Sequence, residues 1–296
     1  MKIVVTGREG QLAQCLLERA AQQPNLQVIA LARPELDLAK PETVRSAIEA
    51  IKPDLVVSAA AYTAVDLAED EPELALVVNT TGAQAVAEAA KACGATVIHL
   101  STDYVFAGDA DEPYVESDVT EPRSVYGSTK LEGERLVAQA NPKHIILRTA
   151  WVYSPFGKNF VKTMLKLAET RYALSVVSDQ WGNPTSALDI ADAIIKVADH
   201  LAAKSDFSAY GVYHLVGTGD MNWSGFARAI FSESAALGGP TATVTDITTA
   251  DYLTKAGRPA NSRLSTAKFQ EVFDWSAPSW KSSLSYVVSR ILQSKD

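Results

Sequence analysis

Five short apolar runs recur through the first half of the chain: Lys2–Thr6, Gln27–Ala32, Leu55–Ser58, Thr96–Leu100 and His144–Arg148. Runs this short, rich in Val, Ile and Leu, suit strands buried on both faces of a parallel sheet. The segments between them, Gln11–Gln22, Glu42–Ile51, Leu74–Cys93 and Ser124–Gln139, are expected to be helices. Gly94 follows the third, where a left-handed residue commonly ends a helix. Strand–helix alternation at this spacing implies an α/β fold, a Rossmann-like doubly wound parallel sheet with helices on both faces. After Trp151 the rhythm loosens. Asn159–Thr170 and Ala187–Leu201 are expected to be helical, Leu174–Val177 and Val212–Val216 extended, with further helices after Trp223 and Ser279. Residues 1–150 are therefore assigned to the sheet domain, with segments around 180–205 returning to it. Residues 151–296 are assigned mainly to a smaller α/β substrate domain.

The 296 residues suffice for one large domain or two smaller ones, and 47% hydrophobic with 21% charged residues is a globular composition. A net charge of −8 argues against non-specific nucleic-acid binding. An anionic ligand then needs a local cradle. Met1 leads straight into the first strand, leaving no room for a signal peptide, and no apolar run reaches the length of a membrane span. Cys15 and Cys93 form neither a disulfide framework nor a metal spacing. A reduced, cytoplasmic setting is expected. His99, His144, His200 and His214 are scattered without ligand spacing and are assigned structural roles.

Thr6-Gly7-Arg8-Glu9-Gly10-Gln11-Leu12-Ala13 follows the first strand and opens the first helix. Gly7 suits the tight turn, and Gly10 lets the backbone approach a pyrophosphate at the positive helix end, with Gln11 and Leu12 beside it. Ala13 replaces the usual third glycine. At the end of the second strand there is no carboxylate for a ribose diol, but Arg33 could meet a 2′-phosphate. NADPH is expected over NADH, with NADH still usable. Asp37 and Leu38 lie just beyond and could contact the adenine.

Tyr126-Gly127-Ser128-Thr129-Lys130 puts a phenol and an ammonium on one helical face. A positive charge near a tyrosine favours the phenolate, and a tuned phenol can give a proton to an oxygen while a hydride moves at its carbon.

These segments, with Ala59-Ala60-Ala61-Tyr62-Thr63-Ala64-Val65-Asp66, Ser101-Thr102-Asp103-Tyr104-Val105-Phe106, Arg148-Thr149-Ala150-Trp151-Val152-Tyr153, Asp179-Gln180 and Arg258-Pro259-Ala260-Asn261-Ser262, resemble the extended short-chain dehydrogenase/reductases. Within them the chain is similar to the reductases of dTDP-4-keto-6-deoxy sugars that complete dTDP-L-rhamnose. The resemblance implies that Tyr126 protonates the C4 oxygen of the sugar and that Lys130 lowers the phenol's pKa and holds the nicotinamide ribose. Thr102 would hydrogen-bond the same carbonyl. It implies Ala60, Ala61, Tyr62 and Thr63 along the cofactor, with Asn79 making a structural or cofactor-facing hydrogen bond. Val65, Asp103, Tyr104 and Trp151 would face the sugar, and Lys158, Asn159 and Arg258 its diphosphate. Some relatives are described as dimerising through glutamates around magnesium, but the matching positions here are Cys15 and Leu188. A homodimer stays open, though not through a carboxylate metal site, and no metal is expected in catalysis. The rival readings are another nucleotide-sugar ketoreductase or an epimerase, and a non-catalytic regulatory subunit of the same fold. A 4,6-dehydratase fits less well, because Tyr104 stands where its second acid is expected.

Overall fold

The computed structural model describes residues 1–204 and 206–293. Residue 205, the end of the expected returning segment, and residues 294–296 lie outside the described residues. In chain order, β1 (Lys2–Thr6), α1 (Gln11–Ala20), β2 (Gln27–Leu31), α2 (Pro41–Ile51), β3 (Leu55–Ser58), α3 (Gly82–Ala92), β4 (Thr96–Thr102), α4 (Val125–Ala140), β5 (His144–Thr149), α5 (Ala187–Ala203) and β6 (Gly211–His214) form the main unit. The sheet runs β6-β5-β4-β3-β1-β2, and every pairing is parallel.

Successive strand side chains point to opposite faces, so a run apolar at every position needs cover on both. Ile3 and Val5 of β1 join Leu12 and Leu16 of α1 and Ile194 of α5 in one buried cluster. Val4, between them, joins Val44 and Ile48 of α2 and Val86 of α3 on the other face. Helix α5 packs against α1, and β6 then extends the sheet beside β5. Cys15 and Leu188 are both buried in the first cluster.

The segment expected as one helix from Leu74 to Cys93 is helical without a gap to Ala92, but it changes type along its length. It is α-helical at Pro72–Leu76, π-helical at Val77–Thr81 and α-helical again in α3. The Asn79 carboxamide in the π turn is committed to tertiary partners, and the Thr80 and Thr81 hydroxyls donate to the carbonyls of Leu76 and Val77. Such side-chain competition for backbone carbonyls disfavours a regular ladder.

The remaining chain supplies helices at Phe160–Ala168, Trp223–Ala236 and Trp280–Gln293. Ala173–Val177 pairs in parallel with Thr243–Ile247, and Trp181–Gly182 lies between Met221–Asn222 and Asn261–Ser262. The strand at Thr243–Ile247 and a helix at Ala267–Phe273 have no counterpart in the sequence expectations. Among the described residues no helix is long and apolar enough to cross a membrane.

Candidate active site

The strand order reverses between β1 and β3, the point at which open α/β sheets bind ligands beyond their carboxyl ends. A cleft of about 1490 Å³ opens there. Pockets for one drug-sized molecule span about 300–1,000 Å³, so this one has room for two ligands side by side. It gathers Gly7, Gly10, Gln11 and Leu12 from the first loop, and Ala60, Ala61, Thr63 and Val65 after β3. Thr102, Asp103, Tyr104, Tyr126, Lys130, Trp151, Lys158 and Arg258 also line it.

Gly7 has φ 91°, a conformation open to glycine and strained for other residues. Gly10 begins α1, whose N-terminus has no side-chain cap and no acidic residue in its first turn. A methyl on Gly10 would press to 3.1 Å from the Gly7 carbonyl oxygen. This uncapped positive end, with bare backbone at its mouth, fits the pyrophosphate of a dinucleotide. Thr6 Oγ1 accepts from Ala59 N and Ala60 N, both at 3.0 Å, and fixes the loop leaving β3. Gln11 Oε1 accepts from Ser154 Oγ at 2.9 Å and Asn159 Nδ2 at 3.0 Å, tying the glycine loop to the opposite wall.

Several residues expected at the ligands are held by partners within the protein. Asn79 Oδ1 accepts from Tyr62 N at 2.8 Å, and its Nδ2 donates to Tyr62 O and Thr129 Oγ1. Its hydrogen bonds are structural. The Tyr62 hydroxyl donates to Glu71 at 2.6 Å, and neither residue lines the cleft. Asn159 caps the Phe160–Ala168 helix through Oδ1 while its Nδ2 donates to Gln11, Ser154 and Phe156. Both ends of that amide have partners within the protein. Leu38 is buried under α2 and α3, and Asp37 Oδ1 accepts from Ala39 N. Arg33 is exposed at the end of β2. Arg8, not singled out from the sequence, lies close by: its Nε donates to Ala30 O, and its Nη2 is 3.6 Å from Glu35.

Helix α4 carries Tyr126 and Lys130 on one face, as their spacing requires, and starts from a Ser124 cap on Gly127 N. The expected acidification of the phenol is not found. Burial, with smaller contributions from Asp103 and Tyr104, pushes Tyr126 well above its ordinary value, opposed only by the Thr102 hydroxyl against it. The Lys130 ammonium is turned elsewhere, donating to Leu100 O at 2.6 Å with His99 Nε2 at 3.4 Å. The phenol therefore keeps its proton through the neutral range. Burial lowers Lys130 to about 8, against an upward pull from Glu134. His99, a structural assignment from sequence, is buried with Nδ1 3.1 Å from Ser58 Oγ. Burial and the nearby Lys130 hold it neutral.

Thr102 ends β4 and caps the turn Asp103–Val105, accepting from Tyr104 N at 3.2 Å and donating to Asp103 Oδ1 at 3.0 Å. Ser262 Oγ donates to Asp103 Oδ2 at 2.5 Å. Burial raises this carboxyl to about 6 despite the hydroxyl donors. The Tyr104 and Tyr126 rings meet edge-on with centroids 5.5 Å apart. Arg258 crosses the cleft mouth, donating to the Tyr104 hydroxyl at 3.1 Å and to Asp66 at 2.5 Å.

Trp151 has φ 48°, unusual for a bulky residue. Its indole stacks on Trp223 at 3.5 Å and 10°, and a methyl on Gly182 would come within 2.5 Å of it. Trp151 is thus both cleft wall and packing, with Trp223 as a lining partner 72 positions away in sequence.

The family model described as RmlD substrate binding domain matches residues 1–293. The dTDP-4-dehydrorhamnose reductase of Sinorhizobium fredii is 49% identical over 297 residues, covering 100% of both chains. That of Escherichia coli K12 is 43% identical, covering 95% of each. Among solved structures, dTDP-4-dehydrorhamnose reductase from Bacillus anthracis in complex with NADP superposes with a TM-score of 0.89 at 35% identity, over 97% of this chain and 98% of that one. With likeness in sequence and fold running through the whole chain, this protein belongs to the dTDP-4-dehydrorhamnose reductase family.

Proposed function

We propose that this protein is an NADPH-dependent oxidoreductase that reduces the C4 keto group of dTDP-4-dehydro-6-deoxy-L-mannose to dTDP-L-rhamnose, with NADH as a poorer donor. The observation that carries this is the meeting of Thr102, Tyr126 and Lys130 in one cleft beside an uncapped glycine-loop helix, in a chain 49% identical throughout to a named reductase. The dinucleotide, when bound, supplies the hydride. Residues 1–150 and the returning α5 and β6 hold it, with Gly7, Gly10, Gln11 and Leu12 at the pyrophosphate and Ala60, Ala61 and Thr63 alongside. Val65, Asp103, Tyr104 and Trp151 shape the sugar pocket, while Lys158 and Arg258 bring positive charge to the nucleotide diphosphate. Tyr126 gives its proton to the C4 oxygen, which Thr102 orients. Lys130 stabilises the resulting phenolate. We place the reaction in the cytoplasm.

The test is direct. With this keto sugar and NADPH, reduced nicotinamide is expected to disappear in step with the sugar, and dTDP-L-rhamnose to accumulate. An epimerase or a non-catalytic subunit would consume none.

Cofactor choice is assigned to the guanidinium pair Arg8 and Arg33. Charge-assisted hydrogen bonds are worth about 1.5–3 kcal/mol. The double change Arg8→Ala and Arg33→Ala is therefore expected to raise KM for NADPH roughly tenfold or more, with KM for NADH nearly unchanged. Equal losses for both cofactors would remove these residues from 2′-phosphate recognition.

A further inference from the structure

Helix α4 presents a third polar group in register with the reacting pair. Tyr126, Lys130 and Glu134 recur every four residues and so share one helical face. Glu134 is only 4% exposed. Its Oε1 accepts from Ser101 Oγ at 2.5 Å and Arg148 Nε at 2.9 Å, and its Oε2 from Arg148 Nη2 at 2.7 Å. The carboxylate is locked by side chains from two strands, β4 and β5, one helical turn beyond the lysine.

We propose that Glu134, clamped by Arg148 and Ser101, is a positioning residue that keeps the buried Lys130 cationic for the proton transfer from Tyr126.

Lys130 is 2% exposed, and its direct partners, the Leu100 carbonyl and the neutral His99 ring, bring no countercharge. The groups bearing on this region are His99 from β4, Arg148 from β5, Asp103 and Tyr104 from the following turn, and Tyr126 and Glu134 from α4 itself. Glu134 is the charged group that favours the ammonium against burial. Arg148 is bound side-on to the carboxylate, and its Nη1 is a buried nitrogen without a hydrogen-bond partner among the described residues. A carboxylate serving only to join helix to sheet could be replaced by an amide with a loss of stability and no change in how the lysine titrates. A carboxylate that holds the lysine's charge could not.

This inference rests on the reading of Lys130 as the cation of the reductase, and the experiment separates the two. The pH dependence of kcat is measured with saturating NADPH and keto sugar for the parent, Glu134→Gln, Glu134→Asp and Lys130→Met. Tyr126 sits well above its ordinary value, so activity on the alkaline side is lost first through Lys130, near its value of about 8. Glu134→Gln is expected to move that limb roughly one pH unit toward acid, and Glu134→Asp to leave it at the parent position. If Glu134→Gln does not fold, Arg148→Gln is measured in its place: it removes the cation that offsets the carboxylate and is expected to move the limb toward alkali. A Glu134→Gln limb, or in its absence an Arg148→Gln limb, at the parent position, with Lys130→Met inactive, overturns the role of Glu134 alone. A fully active Lys130→Met overturns the reading beneath it.

Discussion

Replacing Tyr126 with Phe is expected to lower kcat by about 10²–10⁴-fold, the usual contribution of a positioned proton donor, while the NADPH dissociation constant stays close to the parent value. The geometry makes this a narrow change. The ring lies edge-on to Tyr104 at 5.5 Å, a contact phenylalanine preserves, and only the hydroxyl against Thr102 disappears. Tyr104, the phenol packed against it, accepts from Arg258 at 3.1 Å and stands ready to orient rather than donate. Burial holds the Tyr126 proton far above neutrality, so the donor is fully loaded at working pH. In the proposed mechanism its release is driven by the alkoxide that forms on the substrate and by the lysine charge one turn along the helix. Measuring kcat in single turnover alongside cofactor titration separates chemistry from binding. A variant that reduces the keto sugar at the parent rate would place the donor elsewhere.

That upward displacement marks where sequence reasoning stopped. The four-residue spacing of Tyr126 and Lys130 located the pair, because helical geometry is local. The direction in which burial and Lys130 move the phenol depends on which way the ammonium turns. Leu100 O, thirty residues earlier, decides that. The strands were legible for a similar reason: Ile3, Val4 and Val5 must be covered on both faces, so their pattern alone implies the layered sheet. Amide side chains were not legible. Asn79 and Asn159 sit in the right neighbourhood, but a carboxamide can serve ligand or protein equally well, and only the structure shows the backbone and side-chain partners that each one has. Trp223 carried no local signal at all, since its stacking on Trp151 is purely tertiary. Glu134 was within reach, being the next step of the same four-residue series. Its burial against Arg148 is what gives the spacing meaning.

The glycine inside the Tyr-Gly-x-x-Lys segment leads to the second large effect. Gly127 lies where α4 passes over the turn after β4, and a methyl there would overlap the Tyr104 carbonyl oxygen, with Pro122 Cβ at 3.1 Å on another side. Backbone cannot swing aside as a flexible side chain can, so Gly127→Ala must push α4 away from the Asp103–Val105 turn. Overpacking of this kind costs roughly 1–3 kcal/mol of stability. The functional loss should be larger than that implies, because the displaced surfaces carry Tyr126 on one side and Thr102 on the other. Misplacement by about 1 Å can cost 10²-fold in rate, and a loss of that order in kcat is expected from protein that is still fully folded at assay temperature. Gly94→Ala provides the comparison. Gly94 has φ 71° and nothing within 4 Å of an added methyl, so its cost is backbone strain alone, roughly 1–2 kcal/mol, with kcat unchanged. Similar losses of Tm in the two variants but a fall in kcat only for Gly127→Ala would show that close approach of helix and turn sets the spacing of donor and hydroxyl. Equal kcat in both would mean that the site tolerates the displacement and that the glycine serves packing alone.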